Sequence, residues 1–253
     1  MSADQQAAER LLVAHEEHPF YGVRRLALHL GWSENKTRRI RTKAGVVIPT
    51  ASKKRRTQRG AAEISAPPNI LHRYAAFRNE LRPQDGMDYS GMVDSGGWVQ
   101  DFTYIWFQRS WHYLAVVLNL KTRQVVGWAL GTRHSSELTL AALQDALRKH
   151  PPPAILHSDQ GSEYLSYKHQ ALCDRFEIQL SASAKSSPWQ NGFMETWFRG
   201  FKLELGGLNQ FQDLAQLHEA VALQIHYYNT RRIHSALGMS PAAYAASLMP
   251  TQT

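Results

Sequence analysis

The sequence predicts an α/β chain: a mixed five-stranded sheet with flanking helices, preceded by a small all-α domain of helix-turn-helix layout. Three observations predict it. At Trp98 the pattern changes from helical, cation-rich sequence to runs of aromatic and β-branched residues. After that point three strand-like runs are followed by alternating helices and strands. Such an order asks for three antiparallel strands, then parallel ones reached through helical crossovers. The third observation is charge. Residues 1–60 hold 13 Lys+Arg and 5 Asp+Glu, the whole formal +8 of the 253-residue chain, while the remainder carries 16 of each sign. A basic front on a neutral body is the electrostatic footprint of nucleic-acid binding, and solubility alone does not require that segregation.

The hydrophobic fraction of 43% is enough for a buried core. The single cysteine, Cys173, excludes an internal disulfide and a multi-cysteine zinc site, and fits a reducing compartment. Its place before Phe176 reads as a buried, inert helix face. No apolar run nears the length of a membrane span, and the N-terminus lacks a signal-peptide pattern, so the expectation is a soluble cytoplasmic protein with no membrane association.

The first helix is expected over residues 5–17, with Ala7, Ala8, Leu11, Leu12 and His15 on one stripe, ended by His18-Pro19. Val23–Leu30 is the second, Gly31-Trp32 the turn, and Ser33 caps a third over Glu34–Ala44 that Gly45 stops. This is a helix-turn-helix layout. The third helix bears Lys36, Arg38, Arg39, Arg41 and Lys43, a composition suited to the groove or backbone of DNA, with a solvated basic helix as the plainer alternative. Residues 49–69 read as a linker. Lys53, Lys54, Arg55 and Arg56 make it either a solvated spacer or a tether along phosphates. Ile70–Leu81 is expected as a short helix, and 83–97 has no clear assignment.

Trp98–Phe107, Tyr113–Leu120 and Gln124–Leu130 are the first three strands, joined by turns short enough for antiparallel hairpins. Ser136–His150 is a helix ended by three prolines. Ala154–Leu156 is a strand running into His157-Ser158-Asp159, Tyr167–Phe176 a helix, and Ile178–Ser181 a strand. A helix over 188–202 follows, then Asp213–Tyr228. The succession matches the ribonuclease-H-like fold, and the chain divides into 1–48, a connector 49–97, a sheet domain 98–207 and a C-terminal helix and tail 208–253.

Three carboxylates stand out. Asp101 lies inside the first strand, where burial costs free energy unless cations or donors compensate. Asp159 lies where a strand gives out into Gln160-Gly161-Ser162, and sites in open parallel sheets gather at such ends. Glu195 lies after a gap of 35 residues, on the 188–202 helix. At about 100° per residue, Glu195, Arg199 and Lys202 share one narrow polar stripe opposite an apolar arc that includes Trp197 and Phe201. An oxygen-only set of this kind favours Mg²⁺ or Mn²⁺, and two such ions roughly 3.5–4 Å apart can clamp the oxygens of a phosphodiester. Taken singly, Asp101 is a strand acid, Asp159 an Asx-turn former and Glu195 half of a helix ion pair.

Together these segments resemble a known family. His157-Ser158-Asp159-Gln160-Gly161-Ser162-Glu163-Tyr164 and Trp98-Val99-Gln100-Asp101-Phe102-Thr103-Tyr104-Ile105 are similar to the second and first acid boxes of insertion-sequence transposases of the IS-three family. The 35-residue spacing to Glu195 is the D,D(35)E spacing shared with retroviral integrases, and Lys202 matches the basic residue that follows the family's glutamate. Residues 228–241, from Tyr228-Asn229-Thr230-Arg231-Arg232 to Ser240-Pro241, resemble the C-terminal signature, and Phe20-Tyr21-Gly22-Val23-Arg24-Arg25-Leu26 the upstream helix-turn-helix segment. Ile233 stands where a proline is usual, and Ser187–Gly192 looks more like integrases, which bears on subfamily rather than chemistry.

The resemblance implies a downstream-frame DDE transposase with Asp101, Asp159 and Glu195 holding two Mg²⁺. Such an enzyme hydrolyses one strand at the ends of its element and joins the freed 3′-OH to another phosphodiester. Implied DNA contacts are Arg24, Arg25, Arg199, Lys202, Arg231, Arg232 and His234 beside the basic helix. For Arg199 and Lys202 the alternative is pairing with Glu195 or Glu204. Implied partners are double-stranded DNA, both terminal inverted repeats and target, a homo-oligomer on paired ends, and an upstream-frame DNA-binding protein or fusion. Two other classes fit parts of the sequence: a regulator built from an inactive transposase, and a ribonuclease-H-type nuclease.

Overall fold

A computed structural model of the chain describes residues 2–49, 66–74, 76–77, 87–88, 90–184 and 191–249. Its helices and strands, in order, are α1 (Ala3–Glu17), α2 (Val23–Leu30), α3 (Glu34–Lys43), β1 (Ala76–Phe77), β2 (Met87–Asp88), α4 (Ser90–Asp94), β3 (Trp98–Phe107), β4 (Ser110–Asn119), β5 (Val125–Gly131), α5 (Ser136–Lys149), β6 (Ile155–Ser158), α6 (Tyr167–Arg175), β7 (Gln179–Ala182), α7 (Gly192–Leu205), α8 (Leu214–Thr230) and α9 (Pro241–Ser247). Two compact units emerge. One comprises Met1–Lys54, Phe201–Gly206 and Val221–Thr253, the other Arg55–Gly200 and Gly207–Ala220. Of the C-terminal helix and tail expected over 208–253, the stretch from Val221 lies in the first unit and that up to Ala220 in the second.

In the helical unit, α1 starts at a capping box in which the Ser2 hydroxyl accepts from the Gln5 N–H and the Gln5 side chain accepts from the Ser2 N–H. Its buried stripe is Ala7, Leu11 and Ala14; Leu12, expected on it, faces solvent at 42% exposure. Helix α2 ends at Gly31 in the left-handed region (φ 67°), a conformation glycine adopts without strain. Ser33 then caps α3 by accepting from the Lys36 N–H. Leu11, Ala7 and Ile40 form one small core; Ala14, Tyr21 and Leu26 form another, against which Ile233 packs.

The second unit is built on a five-stranded sheet in the order β5-β4-β3-β6-β7. Strands β3, β4 and β5 are antiparallel; β6 is parallel to both β3 and β7. The predicted mixed sheet is therefore present, with helical crossovers through α5 and α6. The β3–β4 turn consists of Gln108 and Arg109, both at positive φ (46° and 62°), as a two-residue hairpin of the matching twist requires. Helix α5 buries Leu138, Ala142, Leu143 and Ala146 against the sheet, and Trp98, Val117, Leu156 and Cys173 complete the core. At Gly127 on β5 a Cβ would stand 2.3 Å from the Ala142 carbonyl oxygen and 2.5 Å from the Ala146 nitrogen, so helix and sheet approach as closely as they do only over glycine.

The connector departs from expectation. Where a helix was expected over 70–81, the described residues hold a 3₁₀ turn, Leu71–Tyr74, and the short strand β1, paired antiparallel to β2; 75 and 78–81 lie outside the described residues. The basic linker residues Lys53, Lys54, Arg55 and Arg56 lie outside the described residues, as does 185–190 before α7. Among the described residues no helix is long and apolar enough to cross a membrane.

Candidate functional site

The parallel pairing of β3 with β6 matches Trp98 with Leu156 and Val99 with His157. Two residues further along each backbone stand Asp101, half-buried in β3, and Asp159, exposed one residue past β6. The register therefore carries both carboxylates to neighbouring positions at the carboxyl end of β6, where parallel sheets expose ligand sites. Backbone donors orient each. Asp101 Oδ1 accepts from the Phe102 N–H at 2.8 Å, and Asp159 Oδ1 accepts from the Gly161 N–H at 3.0 Å, closing an Asx turn.

His157 holds the strand beneath. It is fully buried, with Nδ1 2.9 Å from the Ser181 hydroxyl and Nε2 3.0 Å from that of Ser183, so both ring nitrogens tie β6 to the β7 edge. That role belongs to the sheet's interior.

Two residues of the Asp159 box carry features that sequence reasoning gave no role. Glu163 is buried, and its Oε1 lies 2.9 Å from His134 Nε2, linking the loop after β6 to the one after β5. Tyr164 is 1% exposed, and its hydroxyl has no hydrogen-bond partner among the described residues. Burial, then the charges of Asp101, Asp159 and Glu163, hold its pKa well above the usual phenol value. The only signal in sequence was adjacency to Asp159.

Glu195 is exposed in the first turn of α7, where a carboxylate complements the helix dipole. Most of the expected apolar arc is buried, with Met194, Trp197, Phe198, Phe201 and Leu205 all below a tenth exposed, while Phe193 is half-buried. Arg199 and Lys202 are exposed on the same helix. Glu204, the other acid on this helix, accepts from Arg232 and Gln224. Among the described residues, the one trio of His, Cys, Asp or Glu whose ligand atoms all lie within 4.8 Å of one another is Glu17, His18 and His29. Asp101, Asp159 and Glu195 are spread more widely than the ligands of a single ion. Asp101 and Asp159 are brought together by the sheet; Glu195 is presented from a separate helix. All three offer only oxygen, a donor chemistry that fits a hard dication.

The cationic candidates fare unequally. Arg24, Lys36 and Arg38 are exposed; Lys36 stacks 4.5 Å over the Trp32 ring and Arg38 donates to Asn35. Arg39 and Lys43 both reach Asp4, at 2.7 Å and 2.5 Å, but these exposed pairs are worth little and can yield to a phosphate. Arg25 and Arg41 are half-buried, and burial lowers the Arg25 pKa. Arg231 is exposed and His234 half-buried. Arg232 corrects the sequence reading. It is a buried residue whose guanidinium is committed to Glu204, because the closing turn after α8 packs it inward.

Comparison with known proteins adds family context. Two integrase core domain models match, over residues 95–188 and 176–241. The chain is 36% identical over 143 residues to the transposase for insertion sequence element IS904 of Lactococcus lactis, covering 55% of this chain and 56% of that protein. It is 29% identical over 252 residues to the insertion element IS600 31 kDa protein of Shigella sonnei (96% and 88%), and 36% identical over 151 residues to transposase InsF of insertion sequence IS3A of Escherichia coli (58% and 52%). The chain thus spans about half the length of the first and third of these relatives. Among solved structures, it is similar to the HTLV-2 integrase catalytic core domain in complex with magnesium, with TM-score 0.51 and 18% identity over 59% of this chain and 95% of that one. Against the simian T-cell lymphotropic virus intasome in complex with PP2A regulatory subunit B56 gamma the TM-score is 0.55, with 16% identity over 97% and 76%. At such identities the likeness is one of fold, and the sheet is ribonuclease-H-like.

Proposed function

We propose that the chain is the catalytic protein of an insertion sequence, a polynucleotidyl transferase that acts on DNA in the bacterial cytoplasm, a reading supported by its similarity to integrase core domains and to insertion-sequence transposases. The observation that carries this reading is the β3–β6 register, which brings Asp101 and Asp159 side by side at the open end of the sheet.

Asp101, Asp159 and Glu195 would hold two Mg²⁺, with Mn²⁺ able to substitute; the magnesium complex of the HTLV-2 integrase core supports that choice. Bound there, such ions supply Lewis acidity to the attacking and leaving oxygens of a phosphodiester. The protein's own groups do the positioning. The Phe102 and Gly161 N–H groups fix the two aspartates, and α7 presents Glu195 with Arg199 and Lys202 beside it to meet phosphates. In the first step a water oxygen bonds to phosphorus and the 3′ oxygen leaves as a 3′-OH. In the second that 3′-OH bonds to the phosphorus of a target strand and displaces its 3′ oxygen.

Helix α3, with Lys36, Arg38 and Arg39, and Arg24 on α2 bind the terminal inverted repeats. Copies of the chain pair two ends, alone or with an upstream-frame DNA-binding protein; the intasome similarity supports assembly. The test is to incubate the protein and Mg²⁺ with a labelled duplex carrying the inverted repeats that flank its gene, and separately with a labelled RNA–DNA hybrid. Cleavage and joining of the duplex are expected. Cutting of the hybrid alone would make it a nuclease, and duplex binding without cleavage a regulator.

A further inference from the structure

The helical unit holds a cluster that strand transfer does not use. His18 is the C-cap of α1, 3% exposed, and its ring lies parallel to Tyr21 at 4.3 Å between centroids, with an interplanar angle of 10°. Its Nδ1 is 2.7 Å from the Tyr227 hydroxyl. With the Nδ1 proton donated to that oxygen, Nε2 keeps its lone pair, and Nε2 is the atom 3.9 Å from Glu17 Oε1. From the last turn of α2, His29 approaches edge-on at 4.9 Å between ring centroids. One ligand atom from each of Glu17, His18 and His29 lies within 4.8 Å of the other two.

We propose that Glu17, His18 and His29 form a site for a zinc-class dication. Two imidazoles and a carboxylate are a three-ligand set that leaves zinc a fourth position for water. The nitrogen donors select against Mg²⁺ and Ca²⁺, so this site and the acidic one take different metals. Tyr227 acts as the outer partner that fixes the tautomer and plane of a metal-binding histidine. Burial favours the neutral imidazole that a metal needs. Glu17 and His29 are exposed, so an ion can enter from solvent. Arg231, whose charge also reaches His18, opposes a cation, and the Glu17 carboxylate offsets it. A metal here would tie the end of α1 to the end of α2, immediately before the Gly31 turn that sets α3.

The test uses the full chain carrying Asp159→Asn, so that the acidic residues contribute less to the readout, after chelator treatment and in excess Mg²⁺. Zinc is titrated calorimetrically and thermal unfolding is followed with and without it. The expected result is one equivalent of zinc per chain and a zinc-dependent rise in Tm. Both are lost in His29→Ala, an exposed position whose replacement leaves the far-UV spectrum unchanged. Tyr227→Phe should weaken zinc binding by about 10- to 100-fold. Uptake that is absent, or unchanged in His29→Ala, overturns the proposal.

Discussion

Arg232 and Glu204 form a buried ion pair with three hydrogen bonds, Nη2 to Oε1 at 2.6 Å and Nε to Oε1 and Oε2 at 2.8 and 2.9 Å. Their side chains are 9% and 6% exposed, and Gln224 donates to the same carboxylate. Removing one partner leaves a charge buried alone. Arg232→Met is therefore expected to cost about 3–5 kcal/mol in urea unfolding, while the double change with Glu204→Leu recovers much of the loss. If Arg232 contacted phosphate instead, its replacement would flatten the salt dependence of DNA binding. That effect is expected of exposed Arg24, whose loss should reduce the slope by about one.

Gly127 sets the distance between β5 and α5. An added Cβ would meet the helix backbone at 2.3 Å and 2.5 Å and the Ala146 Cβ at 2.7 Å, none of them a flexible side-chain end. Gly127→Ala must push the helix off the sheet, at a cost of about 3 kcal/mol. A lowered Tm with unchanged DNA binding by α3 is the expected pairing of results, and a Tm equal to that of the parent would show that the helix can slide.

His169 makes stability depend on pH. It is fully buried on α6, its Nε2 donates to Gln100 Oε1 at 3.0 Å, and the Gln100 amide donates to the Thr139 carbonyl oxygen at 2.6 Å. With that tautomer its Nδ1 is an acceptor, and the Cys173 thiol, 3.9 Å away, is a weak donor to it. Burial lowers the His169 pKa from 6.5 to about 4. The unfolded chain therefore binds this proton more readily than the folded one. The stabilisation is complete above pH 6.5 and is lost as pH falls toward 4, amounting to about 3 kcal/mol. Denaturant unfolding at pH 7, 5.5 and 4 should show it, and His169→Gln should shrink the slope over that window.

The same residues explain how far the sequence could be read. Long periodic elements were legible: the β3 and β4 runs, the α5 stripe and the buried arc of α7 all carry a period of 2 or 3.6. The described part of the connector was not, since a 3₁₀ turn and two-residue strands are too short to carry any period. The Gln108-Arg109 turn lacks the glycine that usually marks positive φ. Arg232 misled because a cation reads as surface unless its partner, 28 positions away, is known. Asp101 and Asp159 stood out because a carboxylate in a strand or at its end is unusual, and Glu195 by its spacing and its polar stripe on α7. His18 and His29 did not, because the turn of α1 onto α2 alone brings them together.

Asp159 offers the sharpest separation of chemistry from folding. Its Oδ1 accepts from the Gly161 N–H, and an asparagine amide oxygen can accept the same bond, so the turn survives Asp159→Asn. Lost are the negative charge and half of the carboxylate's capacity to ligate a hard cation. Mg²⁺-dependent cleavage and strand transfer should fall on the order of 10³-fold or more, about 4 kcal/mol of barrier. Thermal stability and binding to the inverted repeats, which rests on α3, should stay at the level of the parent. Asp101→Asn and Glu195→Gln are expected to behave alike if the three acids act as one site. Equal strand transfer by Asp159→Asn and the parent would refute the metal assignment, and a variant that also lost DNA binding would locate part of the end-binding surface at the sheet edge.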